Sequence, residues 1–350
     1  MAGKTVKNNS LGMILLKGRT FIALIILVIF FSFCAPNFTT ANSIVLMLRH
    51  TSLYGLLALG MTLVIITGGI DLSVGSVVGL VGMLMGGMLN EGLRLPFMSG
   101  TIYPNVPLIL LIVAVVAILI GLVSGLLIAY LNVPAFIATL GTMYVCRGFA
   151  MRGNGGATFP NLLGSEELGN LGFPTIGSGS ITVFGLDIPY AILIFVVLAL
   201  LSLFILKFTS LGNQIYAVGG NERAATLSGI KTKRIKLFVY MFSALMAAIC
   251  SMINTSQLRA AHPAAGESWE MNAIASVVLG GTSMSGGIGT IGGTIVGALV
   301  INVLNDGMTM MGVSSFWQQV IRGVVIVVAV VIDQLQASLQ KKIALQLRNQ

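Results

Sequence analysis

Six of the nineteen basic residues, Lys207, Arg223, Lys231, Lys233, Arg234 and Lys236, fall in one short stretch, Lys207–Lys236, that holds a single acid, Glu222. Clustered Lys and Arg in short loops resist translocation, which places this stretch on the cytoplasmic side of a membrane. Within it, the segment Asn221–Ser228 is helix-capable and follows the Gly219–Gly220 pair. Two readings stand: an ordinary positively charged loop, or a compact helix that a soluble partner grips. Asp71 is the only acid between Met1 and Leu89. It is placed either to cap a helix start or to meet a substrate or gate. Asn302, Asn305 and Asp306 form an i, i+3, i+4 polar stripe, and Asn254, Thr255 and Gln257 cluster near the end of another apolar run. Such groups face a bundle interior, either as interhelical hydrogen bonds or along a solute path.

Catalytic chemistry is missing from these patterns. There is no Walker-type loop, HExxH, GxSxG or paired-cysteine motif. Cys34, Cys146 and Cys250 are isolated, and His50 and His262 are far apart, so no catalytic residue and no metal site is expected. Intramembrane acids are thin, with Asp71 and Asp306 the only candidates for a proton relay. The chain is therefore expected to move a solute without harvesting energy itself.

The surrounding elements follow from composition. Of 350 residues, 56% are hydrophobic and 8% charged, too few charges to cover a water-facing surface. The chain is a polytopic membrane protein, and its net charge of +9 signals orientation rather than nucleic-acid binding. Ten apolar runs lie at Phe21–Phe33, Ser52–Thr67, Leu72–Leu89, Val106–Leu131, Ala135–Met151, Tyr190–Leu206, Leu237–Thr255, Met271–Leu279, Gly292–Leu304 and Phe316–Ile332. This predicts an all-α protein of about ten transmembrane helices over residues 21–335. Cytoplasmic tails are expected at 1–20 and 336–350. Counting crossings puts the loop at about 152–188 outside and the basic loop at about 207–236 inside. The outer loop is a plain connector or a small cap.

Two glycine-rich interruptions stand out. One holds Gly68, Gly69 and Gly75; the other holds Gly280, Gly281, Gly286 and Gly287. Paired interruptions of this kind point to broken helices beside a transport path, because freed backbone groups must lie inside protein or next to water.

The motifs then become recognisable in order: PNFTTANSI at 36–44, GMTLVIITGGIDLSVGS at 60–76, VPAFIATLGTMYVCRG at 133–148 and LGNQIYAVGGNERAATLSGIK at 211–231. AIASVVLGGTSMSGGIGTIGGTIVGAL at 273–299 and GVSSFWQQVIRGVVIVVAV at 312–330 complete the set. Across nearly the whole chain they resemble the membrane-spanning permease subunits of bacterial ABC importers for monosaccharides, the ribose, galactose, xylose and arabinose group, and most of all ribose-type permeases. The resemblance implies a homodimeric pore of the vitamin-B12-importer-like fold in the bacterial inner membrane. Its implied partners are a second copy, a cytoplasmic tandem-domain ATPase that uses ATP and magnesium, and a periplasmic sugar-binding protein. This chain itself would need no cofactor. Gly219 to Ile230 would be the coupling helix, with Gly220, Asn221, Glu222, Ala224, Ala225 and Gly229 matching the family pattern. Small Ala224 and Ala225 would permit close docking, and Glu222 and Arg223 would make charged rim contacts, with Ser228 closing the segment. A sugar path would use hydroxyl and amide groups, with Asp71, Thr139, Thr142, Asn254, Asn302 and Asn305 as candidates. Other cargoes of the same importer class are autoinducer-2, a deoxysugar, a polyol or a nucleoside. More distant readings are a stand-alone carrier or channel for a small polar solute, or a receptor that transports nothing.

Overall fold

A computed structural model describes residues 18, 20–94, 100–183, 185–328 and 330–331. The expected tails lie outside the described residues, apart from Gly18 and Thr20. Each of the ten apolar runs holds a helix: α1 Thr20–Cys34, α2 Ala41–Ile66, α3 Val74–Asn90, α4 Val106–Ala129 and α5 Ala135–Arg152. They continue, past the short α6 (Thr175–Ser178), with α7 Tyr190–Phe208, α10 Thr232–Leu258, α11 Trp269–Leu279, α12 Ile291–Met310 and α13 Ser315–Val328. Two helices, α8 Ser210–Gly220 and α9 Glu222–Leu227, occupy the basic loop. By length and composition, five of the described helices can cross a membrane: α2, α4, α7, α10 and α12.

The all-α expectation needs one correction. Two small antiparallel hairpins, Leu93–Arg94 with Thr101–Ile102 (β1, β2) and Ser180–Val183 with Leu186–Pro189 (β3, β4), lie in the loops. The segment 152–188 is a cap rather than a plain connector. Phe159 pairs with Ala261 as a β-bridge, and Leu162 and Phe173 are fully buried.

The packing order is the reverse of a soluble protein's. Among the five helices long enough to cross a membrane, the most apolar, α4 and α7, are the least buried and expose Leu111, Val115, Leu119, Val197, Leu200 and Phe204, an apolar skin suited to lipid. The bundle forms around α10, which packs on α2, α3 and α4. Close approach there depends on small residues. A β-carbon built on Gly60 would lie 2.8 Å from Ser243 Cα, and one on Gly121 would lie 2.8 Å from Met241 Cα.

Helix α2 starts eleven residues before the expected Ser52. Thr40 caps it by accepting from Ser43 N at 3.3 Å. Two of the polar residues that obscure this extension in sequence, His50 and Thr51, have partners on α12. His50 Nδ1 lies 3.0 Å from Asp306 Oδ1, and Asn302 Nδ2 donates to Met47 O at 2.7 Å and Thr51 Oγ1 at 2.8 Å. His50, which has no ligand-like neighbour along the chain, thus meets a carboxylate in space.

Candidate functional site

The basic loop builds as its local chemistry requires. Asn221 Oδ1 accepts from Ala224 N at 3.0 Å and caps α9. Gly229, at φ +85°, closes the helix in the left-handed region while Ile230 N donates to Ala225 O at 3.1 Å. The side chains sort differently from expectation. Ala225 is buried against its own chain, whereas Arg223, Ala224 and Ser228 face outward. Glu222, expected at a charged rim, is engaged at home by Lys236 Nζ at 2.7 Å. Sequence reading missed Leu227, which is 89% exposed at the end of α9.

Glycines from all three singled-out segments meet behind this helix, Gly68, Gly219, Gly220, Gly286 and Gly287. Gly287 N donates to Ile66 O at 2.8 Å. A methyl group on Gly219 would overlap Ile66 O, one on Gly286 would meet Gly219 O at 2.8 Å, and one on Gly287 would meet Gly220 Cα at 2.9 Å. Gly68, Gly281, Gly286 and Gly287 all have φ between +74° and +86°, so the two breaks turn where other residues would be strained. Tyr216 Oη on α8 adds a bond to Gly289 O at 2.7 Å. Burial pushes this phenol above its ordinary value, so it keeps the proton it donates. The end of α2, the end of α8 and the α11–α12 link thus form one backbone-to-backbone junction.

A second junction lies at mid-depth. After Gly69, whose α-carbon faces the Tyr240 hydroxyl, the chain turns back into the bundle. Asp71 Oδ2 accepts from Ser243 Oγ at 2.8 Å, nearly halfway along α10. Asp71 Oδ1 accepts from Ser73 N at 3.0 Å and Ser73 Oγ at 2.6 Å. Ser73 is the N-cap residue of α3 and makes no side-chain cap bond, so Asp71 holds the turn before the helix rather than capping it. We expect Asp71→Ala to lose about 1–3 kcal/mol in thermal unfolding in detergent, because it strands these buried donors, and Asp71→Asn to lose less. A substrate role alone would leave the melting curve unchanged.

The partner of this mid-depth helix start is not the 280–290 break but residues 259–268, which return from the far end of α10. Gly75, a helical residue of α3 rather than a break, packs against Gly266 and Glu270 at the start of α11. Arg147 of α5 holds the returning segment by donating to Pro263 O at 2.6 Å and Ala265 O at 2.9 Å. Helices that begin inside a bundle present their positive ends there.

The other candidate path residues are dispersed. Thr139 Oγ1 lies 2.8 Å from Ala135 O and 3.2 Å from Ile70 O. Thr142 Oγ1 lies 2.9 Å from Ser124 Oγ. Asn254 is buried in α10, and Asn302 and Asn305 sit on α12, each with an amide oxygen that has no partner among the described residues. Among the described residues no three His, Cys, Asp or Glu side chains cluster as a metal site.

Residues 43–330 match the family model described as branched-chain amino acid transport system / permease component. The chain is 41% identical over 333 residues to the ribose import permease protein RbsC of Haemophilus influenzae, covering 95% of this chain and 98% of that protein. It is 41% identical over 322 residues to the ribose import permease protein RbsC of Bacillus subtilis, covering 90% and 91%. It is also 33% identical over 339 residues to the galactose/methyl galactoside import permease protein MglC of Haemophilus influenzae, covering 96% and 98%. No solved structure matches.

Proposed function

The chain belongs to the branched-chain amino acid transport system / permease component family, and from that membership we propose that it is the membrane subunit of an ATP-driven importer of a monosaccharide. The observation that carries the sugar reading is the 41% identity, over 95% of the chain, to a ribose import permease. A ribose-like pentose or a hexose is the cargo. Two copies form the pore, each crossing the bacterial inner membrane ten times with both ends in the cytoplasm, in a vitamin-B12-importer-like arrangement. A tandem-domain ATPase binds below, and a periplasmic binding protein delivers the sugar from above.

In this reading α9 is the coupling helix, and Leu227 with Arg223 and Ala224 is its docking face. Burying one large apolar anchor in a partner's cleft is how small interfaces gain most of their affinity. ATP-driven movement of α9 then reaches α2 and the α11–α12 link through the glycine junction, with no flexible linker between. Beside that junction a cavity of about 250 Å³, walled by Thr67, Gly68, Asn132, Pro134, Glu222 and Lys236, leaves room for the shift.

The test is capture of the ATPase with tagged protein from its native host in mild detergent. The native chain is expected to bring down a tandem ATPase, and Leu227→Asp to reduce the yield by roughly tenfold or more. Folded native protein that captures no ATPase would sink the importer reading.

A further inference from the structure

A cavity of about 700 Å³ opens between α2, the start of α11 and α13, within the size range of small-molecule sites. It lies at mid-depth: its wall residue Tyr54 stands halfway along α2 and meets Trp269 edge to face, with ring centroids 5.1 Å apart and planes at 62°. Around these rings stand Glu267, Asn272, Gln319 and Arg322. Asn272 is only 4% exposed, yet no hydrogen bond engages its side chain among the described residues. The Asn272 side chain lines the cavity, where its amide is open to water or a ligand. Glu267 and Gln319 likewise make no side-chain hydrogen bond among the described residues, and the Glu267 carboxylate is near enough to feel the Arg147 charge. No side chain caps α11, because Ser268 at φ +62° turns away from that role, and its first amide groups add donors at the same place.

An aromatic face, planar amide, carboxylate and guanidinium groups, and one charge of each sign describe the lining. That combination suits a neutral ring carrying many hydroxyls. Apolar C–H faces stack on the aromatic ring while each hydroxyl both donates and accepts. It suits neither an anion nor an aliphatic side chain. We propose that this cavity holds the sugar in transit, its ring against Trp269 and its hydroxyls on Glu267, Asn272, Gln319 and Arg322. The proposal rests on the importer reading and assigns its substrate contacts to residues other than the threonines and asparagines picked out along the sequence.

The two tryptophans of the chain are Trp269 and Trp317, so a Trp317→Phe variant makes Trp269 the sole reporter. Its fluorescence is measured while D-ribose, D-xylose or D-galactose is added to the purified protein, with leucine as the contrasting solute. The same sugars are followed in cellular uptake. At least one sugar is expected to give a saturable change and leucine none. Asn272→Leu is expected to weaken that response and the uptake by roughly tenfold or more, with ATPase capture unchanged. Gln319→Leu, at an exposed position where the fold is not at risk, repeats the uptake measurement. The proposal is overturned if Trp269 ignores every sugar that the chain imports, or if both variants import at the native rate. A native chain that imports none of the three sugars overturns the importer reading itself, and the cavity proposal with it.

Discussion

Gly219→Ala is expected to abolish uptake, while Gly220→Ala, one residue on, leaves it near the native level. Both glycines end the same helix, and alanine favours a helix over glycine by about 1 kcal/mol. Local propensity therefore predicts that both changes stabilise. Packing separates them. A methyl group at Gly219 meets Ile66 O and the Gly287 amide, whereas one at Gly220 finds open space. Overpacking costs about 1–3 kcal/mol where neighbours can shift. Here the neighbours are backbone, and Ile66 O already accepts the Gly287 N–H, so the junction must part instead. Once it parts, α9 is no longer keyed to α2 and the α11–α12 link. ATPase capture by Leu227 should then survive while transport does not. Uptake, ATPase capture and thermal unfolding, measured together on both variants, separate these effects. A Gly219→Ala chain that transports normally would remove the junction from the coupling path.

What was legible in the sequence is what local chemistry decides. The short helix in the basic loop was legible because its ends are set locally, by the Asn221 cap and the left-handed Gly229. Each of the ten apolar runs holds a helix, and for the five long enough to cross a membrane lipid leaves the backbone no other partner. Apart from the two local hairpins and Leu227, the misreadings come from pairing across long stretches of chain. Arg49, His50 and Thr51 look like a loop until Asn302 and Asp306 come to meet two of them. The glycines were visible individually, but their convergence was not, because residues 66, 219 and 287 are joined only by tertiary packing. The cavity between α2, α11 and α13 left one faint signal: Glu267 beside Trp269 at the entry to an apolar run, where an acid has no reason to be unless something polar faces it.

Arg147 carries the second large effect. Its guanidinium, partly buried on α5, feels the charge of the Glu267 and Glu270 carboxylates and ties down Pro263 and Ala265 through their carbonyls. It lies over Gly79, where a β-carbon would come within 2.7 Å of its Nη1, so α3 leaves it one well-defined seat. Removing the guanidinium strands the Pro263 and Ala265 carbonyl oxygens, at about 1–3 kcal/mol for each buried group left without its partner, and takes away the charge that faces the two carboxylates. Arg147→Ala is therefore expected to lower the unfolding midpoint of the purified protein by many degrees. It should also release the 259–268 return, which limited proteolysis would detect as new cleavage near Pro263. Lysine keeps the charge but not the fork that reaches two carbonyls at once, so Arg147→Lys should recover stability more than it recovers uptake. If Arg147→Ala melts with the native protein, the returning segment is held by packing alone. The mid-depth start of α11 would then owe nothing to this cation.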